Sequence, residues 1–257
     1  MATKVQRLIN IAKPYWDAEA EIAKRFFRKA TREDHAFYLK AQLWKELNPV
    51  DGYFNGLHRE LTKAASLFPK VGKSINRHDY LFLLEQLVSE YNHFVLLADV
   101  LEFVQKRKLS RRDLKHLPQE KQLGNIRRHY VDKGGPIGKS AVGMTEGGGT
   151  ALFSVGKNLK GTKINEMTAK AMRVIWEDEK NHYLVQADTA CRVIKTKGDF
   201  EKFEIAVIEV SLQRVWMRNE MFREPMGSGK IFSFILRRKI NIIKANQTKN
   251  NKTVMVY

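Results

Sequence analysis

Two Glu-x-x-His pairs occur in stretches with helical periodicity, one formed by Glu90 and His93 and the other by Glu179 and His182. Residues three apart on an α-helix lie on one face about one turn apart, so each pair can present a carboxylate and an imidazole to the same metal ion. A single pair of this kind is more often a surface ion pair than a metal site. The surroundings of the pairs therefore decide the interpretation.

These surroundings repeat. The ten residues from Glu90, EYNHFVLLAD, and the ten from Glu179, EKNHYLVQAD, share Glu, Asn, His, Ala and Asp at the same places, 89 residues apart. An internal repeat of this kind predicts two related halves, each with one helix that carries a Glu-x-x-His pair.

Each half is also expected to contain a partner helix with a further glutamate. In an antiparallel helix pair with ligands near mid-span, about 30 residues of chain separate the ligands. Counting back from Glu90 and Glu179 by about this length reaches Glu60 and Glu146, and the residues that follow, ELTKAASLFPKVGKS and EGGGTALFSVGKN, are similar. Three acids on the first predicted helix remain alternatives to Glu60, namely Glu19, Glu21 and Glu33.

This ordered set resembles the ferritin-like di-iron carboxylate proteins, in which a four-helix bundle supplies one Glu from each of two helices and Glu-x-x-His from each of the other two. The resemblance covers residues 51–195. It implies that Glu90 and Glu179 bridge two metal ions. The full set of metal-binding and catalytic residues that it implies is Glu60, Glu90, His93, Glu146, Glu179 and His182.

The resemblance also implies a chemistry. Carboxylates and imidazoles without thiolates favour two iron ions, with a manganese–iron pair as the alternative. Such a site would activate O2 and oxidise a small organic substrate. The chain has one cysteine, Cys191, and no dinucleotide-binding fingerprint, so we expect a separate electron donor such as an acidic ferredoxin or a reductase.

A metal-bound imidazole usually donates its second N–H to an acceptor. Three aspartates are candidates for this acceptor: Asp99, Asp178 and Asp188. Asp178 directly precedes Glu179 and is similar to an aspartate of some oxygenases of the family, whereas the first half carries Ser89 at the same place. The sequence leaves the choice among the three open.

Three consecutive glycines, 147–149, follow Glu146. Each glycine inside a helix costs about 1 kcal/mol relative to alanine, so the run requires a physical reason. Two helices pack closely there, or the missing side chains leave room beside the metals for O2 or substrate, or the helix contains a π-bulge.

Long helical stretches and a near absence of strand-like runs predict an all-α fold. We expect one helical domain over residues 1–257, with a four-helix bundle core at 51–195, additional N- and C-terminal helices, and a loose tail over the last dozen residues. Asp51 is the predicted N-cap of the second helix, and a short helix is expected within 106–133. The longer predicted helices run over about 14–47, 51–68, 76–107, 136–159, 165–195, 200–222 and 230–244.

The formal net charge of +18 is unevenly distributed, with +8 in residues 104–139 and +7 in the C-terminal extension, residues 226–257. The bundle is therefore nearly neutral, and the two basic segments are interpreted as docking surfaces for an acidic electron donor or an anionic substrate carrier, with nucleic acid the less favoured partner. Residues 230–244 are basic and amphipathic, and docking on the bundle is favoured over peripheral membrane contact.

A single cysteine excludes a disulfide framework and a Cys-ligated metal cluster held within this chain. The sequence shows no secretory leader and no run of 18 apolar residues, so we expect a cytoplasmic protein. Two other functions stay open: a ferroxidase or iron-handling protein without an organic substrate, and a basic helical protein that binds RNA or membrane and keeps a vestigial site. Each of these functions is compatible with a homo-oligomer.

Overall fold

A computed structural model describes residues 3–49 and 56–254 of the chain. All named elements in these ranges are helical, which confirms the predicted all-α class. No helix in the described ranges is long and apolar enough to cross a membrane. The α-helices are α1 (Lys4–Phe27), α2 (Arg32–Leu47), α3 (Leu57–Leu67), α4 (Arg77–Gln105), α5 (Pro118–Lys133), α6 (Gly135–Met144), α7 (Gly147–Gly156), α8 (Lys163–Glu179), α9 (His182–Val193), α10 (Lys197–Met221) and α11 (Ser228–Val254).

Capping by threonine sets several helix starts. The hydroxyls of Thr31 and Thr196 each accept a hydrogen bond from the backbone N–H three residues later, where an aspartate accepts from the threonine N–H in return. This reciprocal arrangement satisfies two N–H groups that the helix itself leaves unpaired. The cap at Thr31 divides the helix predicted over 14–47 into α1 and α2.

Two more predicted helices are divided, and both breaks fall at candidate ligands. The helix predicted over 136–159 is interrupted at Thr145 and Glu146, between α6 and α7. The helix predicted over 165–195 is interrupted at Lys180 and Asn181, between α8 and α9.

The ends of two other elements differ from the prediction or lie beyond the described residues. The expected loose C-terminal tail is wrong as far as Val254, because α11 continues to that residue. Helix α11 packs against α1, with Ile231 and Ile235 buried. Asp51, the predicted N-cap of the second helix, lies outside the described residues, and α3 begins at Leu57.

Six helices pack side by side in a closed order. Helix α2 packs against α4, α4 against α8, α8 against α7, α7 against α1, α1 against α10, and α10 returns to α2. Helix α3 packs on the outside of α4, and α9 packs on α6 and α1. The helices that surround the candidate site therefore include α1 and α2, which precede residue 51. The sequence had placed the start of the bundle core at residue 51.

A buried charged cluster joins three of these helices. Glu19 of α1 accepts hydrogen bonds from Nε of Arg214 at 3.0 Å and from Nε of Arg218 at 3.1 Å, both on α10. Burial opposes the ionisation of Glu19, but the two guanidinium groups outweigh it and hold the pKa of this carboxyl below its usual value. Arg218 also donates to Oε1 of Gln42 on α2 at 2.7 Å, so the cluster, which we call the Glu19 cluster, connects α1, α2 and α10.

The glycine run allows α7 to approach α1. A Cβ atom on Gly147 would lie 2.5 Å from the ring of Trp16, and a Cβ on Gly148 would overlap the carboxylate of Glu19. Between α6 and α7 the backbone forms tight i to i−3 turns, such as the 3.1 Å bond from Gly148 N to the carbonyl of Thr145. Close helix packing therefore explains the first two glycines, and the break is a tight turn instead of a π-bulge.

Gly148→Ala is expected to destabilise the fold, because the added methyl group displaces the Glu19 carboxylate from its arginine partners. We expect the free energy of unfolding, measured by chemical denaturation, to fall by about 2–4 kcal/mol. Gly149→Ala is the matched control, since its Cβ would make only ordinary contacts, the nearest at 3.6 Å from Arg214. The control should leave stability unchanged or raise it by up to about 1 kcal/mol. Equal losses in the two variants would contradict the account of this packing.

Candidate metal centre

A cavity of about 720 Å³ lies beside both Glu-x-x-His pairs. It is bordered by the exposed side chains of Phe82 on α4 and Val185 on α9. Helix α4 packs along α8, whereas α9, after the break at Lys180 and Asn181, packs on α6 and α1 instead. The break therefore directs α9 away from α4 and leaves open space next to the candidate ligands.

Two groups of metal-ligating side chains line this cavity. Within each group, one donor atom from every residue lies within 4.8 Å of the others. Five of the six residues predicted from the sequence are in these groups. The first group is Glu46, Glu90 and His93, and the second is Glu146, Glu179 and His182.

Glu60 belongs to neither group. It lies on α3, outside the helices that surround the cavity, and forms an ion pair with Lys63 at 3.3 Å. Glu46 lies near the end of α2 and is 6% exposed. It stands beside Glu90 and His93, where the sequence predicts Glu60. The prediction assumed a short hairpin before Glu90, but the chain inserts α3 between the two ligand-bearing helices.

The alternatives to Glu60 on the first predicted helix lie elsewhere as well. Glu19 is the centre of the buried cluster described above. Glu21 forms an ion pair with Arg25 at 2.7 Å, and Glu33 is exposed in the first turn of α2. Glu46 is the glutamate of that predicted helix that reaches the cavity, and it is outside the set of candidates that the sequence indicates.

Glu179 lies between two imidazoles. Its Oε2 is 3.0 Å from Nδ1 of His182, and its Oε1 is 4.0 Å from Nδ1 of His93. Burial opposes ionisation of Glu179, but the hydrogen bond to His182 and the positive charge that His182, His93 and Lys45 carry when protonated outweigh it and hold its pKa below the usual value. The geometry therefore presents an ionised carboxylate with one oxygen toward each ligand group.

His93, which is buried, is oriented by an aspartate. Its Nε2 lies 3.0 Å from Oδ2 of Asp178, and the hydroxyl of Ser89 donates to the same oxygen at 3.4 Å. With the proton on Nε2, the lone pair of Nδ1 faces the cavity, 3.9 Å from Oε2 of Glu90. A carboxylate in this position fixes the imidazole tautomer and leaves Nδ1 as the nitrogen with a lone pair available to a metal ion.

Of the three aspartates considered as acceptors, Asp178 is the one that hydrogen-bonds a candidate ligand. Asp188 pairs with Arg192, four residues later on α9, and Asp99 is exposed on α4. Ser89 and Asp178 occupy the same place in the two repeats and contact each other. The two halves of the repeat therefore meet at His93.

The second Glu-x-x-His pair is divided between two helices, unlike the first. Glu90 and His93 lie within the continuous helix α4, as predicted, but Glu179 ends α8 and His182 begins α9. The backbone carbonyl of Glu179 accepts a hydrogen bond from the hydroxyl of Thr150 on α7 at 3.1 Å. This bond joins the end of α8 to α7 next to the ligands.

The wall behind Glu46 is basic. Gln42 donates a hydrogen bond to Glu46 and accepts one from Arg218, so Glu46 is connected to the Glu19 cluster. Lys45 lines the same wall, and burial together with repulsion from Arg218 lowers the pKa of its ammonium group. These cations balance part of the negative charge that the glutamates bring into the cavity.

Searches with family models, curated proteins and solved structures give no match to this chain. The fold and the site themselves define an all-helical protein in which two Glu/His groups share one cavity. Each group offers two carboxylates and one imidazole, without a thiolate. This donor set fits iron or manganese better than softer metals, so the residues present are suited to a pair of such ions.

The two competing positions for the sixth ligand give a direct test. Glu46→Gln is expected to lower the amount of Fe(II) or Mn(II) bound from two ions per chain toward one, because the first group loses a carboxylate. Glu60→Gln, the matched control on α3, is expected to leave binding unchanged. Metal content after dialysis, measured by elemental analysis, separates the two outcomes, and the reverse pattern would restore Glu60 as the ligand.

Asp178→Asn should weaken metal binding without removing a ligand, since an amide is a poorer acceptor for the imidazole N–H of His93. Substitutions of this kind typically reduce metal affinity by about 10- to 100-fold. Asp188→Asn makes the same chemical change at an aspartate that pairs with Arg192, and we expect no loss. Titration with Mn(II), followed by electron paramagnetic resonance, measures both affinities. Equal affinities in the two variants would show that Asp178 does not orient His93.

Proposed function

We propose that this protein is a non-haem di-iron oxidase or oxygenase, related to the ferritin-like di-iron carboxylate proteins, that uses O2 to oxidise a small organic substrate. The observation that supports this most strongly is the carboxylate of Glu179, which lies between His93 and His182 with one oxygen toward each ligand group. Two bound iron ions would supply the electrons that reduce O2; a manganese–iron pair is the alternative metal content.

The proposed role of the side chains in the cavity is to hold the two metal ions and to orient the imidazole of His93. One ion would be held by Glu46, Glu90 and His93 and the other by the second group, with the carboxylate of Glu179 available to both. Glu90 was predicted as a further bridge, and its Oε2 lies 3.9 Å from Nδ1 of His93. Asp178 keeps the proton of His93 on Nε2, away from the metal-binding nitrogen.

The volume of the cavity supports an organic substrate over simple iron oxidation. Small-molecule sites typically occupy about 300–1,000 Å³, and the cavity of about 720 Å³ lies in this range. Phe153 and Ile175 add apolar surface inside it, and Phe82 and Val185 lie at its border. A ferroxidase centre needs access only for iron and O2, so a space of this size is better explained by a substrate.

The electrons are proposed to come from a separate protein. The single cysteine, Cys191, excludes an iron–sulfur centre held within this chain, and it lies on α9, where burial raises the pKa of its thiol. Helix α5 belongs to the basic segment 104–139 and packs on α6 and α10, next to the helices that surround the cavity. An acidic ferredoxin or reductase would match this charge.

The proposal is tested by loading the protein with Fe(II) without oxygen and mixing it rapidly with O2. We expect O2 consumption with a transient visible absorbance in the wild-type protein, and loss of the transient in Glu146→Ala, which removes a ligand of the second group. Glu60→Ala serves as the control that keeps both groups.

A loaded wild-type protein that does not react with O2 would contradict an oxidase or oxygenase. Continued uptake of iron far beyond two ions per chain would instead indicate the ferroxidase alternative.

A further inference from the structure

Helix α4 is apolar on two opposite faces. One face packs into the core through residues such as Leu87, Leu97 and Leu101. The opposite face carries five apolar side chains that are 37–71% exposed, and we call this row the outer stripe: Leu81, Leu84, Val88, Tyr91 and Val95. A helix that is apolar all round is normally covered all round, and the described residues leave the outer stripe open.

The outer stripe is continuous. Its members alternate at spacings of three and four residues, the pattern that brings apolar side chains into line along one side of a helix for pairing with another helix. From Leu81 to Val95 the row is about 20 Å long. The exposed ring of Phe68 lies 6.3 Å from the ring of Tyr80 and adds apolar surface near the start of α4. Scattered exposed apolar residues are ordinary, whereas a continuous row marks an interaction surface.

The stripe is complementary to itself. Leu81 and Val95 lie seven residues on either side of Val88, and Arg77 and Asp99 lie eleven residues on either side. All five positions fall on the same side of α4 at 100° per residue. If two copies of α4 pair antiparallel about a two-fold axis at Val88, each apolar residue meets an apolar residue, and each Arg77 meets the partner's Asp99.

The charge of α4 argues against a membrane as the occupant. Arg77 is the one Lys or Arg residue of α4, and the helix carries five acidic residues: Asp79, Glu85, Glu90, Asp99 and Glu102. The net charge of α4 is therefore negative. An anionic lipid surface would repel this helix, although the basic segments at 104–139 and 226–257 would attract one. A second copy of α4 supplies both the apolar row and the opposite charge at each end.

We propose that the protein forms a two-fold symmetric homodimer through antiparallel pairing of the outer stripe of α4 with the same stripe of a second copy. Glu90 and His93 lie on a different side of α4 from the stripe, facing the cavity. The dimer therefore uses none of the candidate metal ligands and does not depend on the function proposed above.

The first test is analytical ultracentrifugation of the metal-free protein over a range of concentrations, with the wild type expected to be a dimer. Val88→Glu places two carboxylates on the two-fold axis and is expected to raise the dimer dissociation constant by at least about 30-fold. Ile205→Glu introduces the same charge at an apolar residue of α10 that is 62% exposed and should leave the dimer intact. Circular dichroism shows whether each variant keeps its helices.

The second test fixes the orientation. Arg77→Glu and Asp99→Arg, made singly, should each weaken the dimer by roughly 10-fold, because each places like charges opposite one another at both ends of the stripe. The double variant R77E/D99R reverses both charges and should restore the wild-type dissociation constant. Because the rescue requires Arg77 and Asp99 to face each other across the interface, it distinguishes this pairing from other dimers.

A wild-type protein that is monomeric at every concentration would overturn the proposal, as would a double variant that remains weak. Flotation with vesicles of phosphatidylcholine and phosphatidylserine tests the other occupant. If the protein is a monomer that binds the vesicles, and Val88→Glu abolishes this binding, the stripe is assigned to a lipid surface and the dimer proposal is overturned.

Discussion

Carboxylates that lie close together repel one another, and the two ligand groups of this protein bring four of them to one cavity. Glu46, Glu90, Glu146 and Glu179 come from four separate segments of the chain. Basic side chains on the cavity wall offset part of this charge, and two divalent cations bound between the groups would offset most of the remainder. Without cations, the imidazoles and Lys45 hold the Glu179 carboxylate ionised, so the cavity keeps negative charge and is suited to binding cations.

The rest of the fold keeps this charged arrangement in place. The Glu19 cluster reaches Glu46 through Arg218 and Gln42, so the position of this candidate ligand depends on the packing of α1, α2 and α10. The glycines after Glu146 allow α7 to approach α1, and the break after Glu179 directs α9 away from α4. Local departures from regular helix therefore create the space that regular helix packing would have filled.

The sequence predicted the parts of this site that depend on local geometry. The three-residue spacing on a helix and the repeat placed Glu90 near His93 and Glu179 near His182, and the family resemblance drew attention to Asp178. The sequence could not identify Glu46 as the sixth candidate ligand, because helical periodicity does not encode the length of the connection between helices. Helix α3 lengthens the connection between α2 and α4. Glu46 could have been noticed from the stop at Asn48 and Pro49, which ends a helix just after it. The glycine run after Glu146 was a signal for the first helix break, whereas the six polar residues 177–182 at the second break are equally compatible with an exposed turn of a continuous helix.

The proposed function rests on Glu179 as a bridge between two metal ions. Anomalous diffraction from crystals grown with Mn(II) or Fe(II) tests it most directly. We expect two peaks about 3.5–4 Å apart, one on each side of the Glu179 carboxylate, with Glu46, Glu90 and His93 around the first and Glu146 and His182 around the second. A single peak, peaks away from Glu179, or a metal ligated by Glu60 would contradict it.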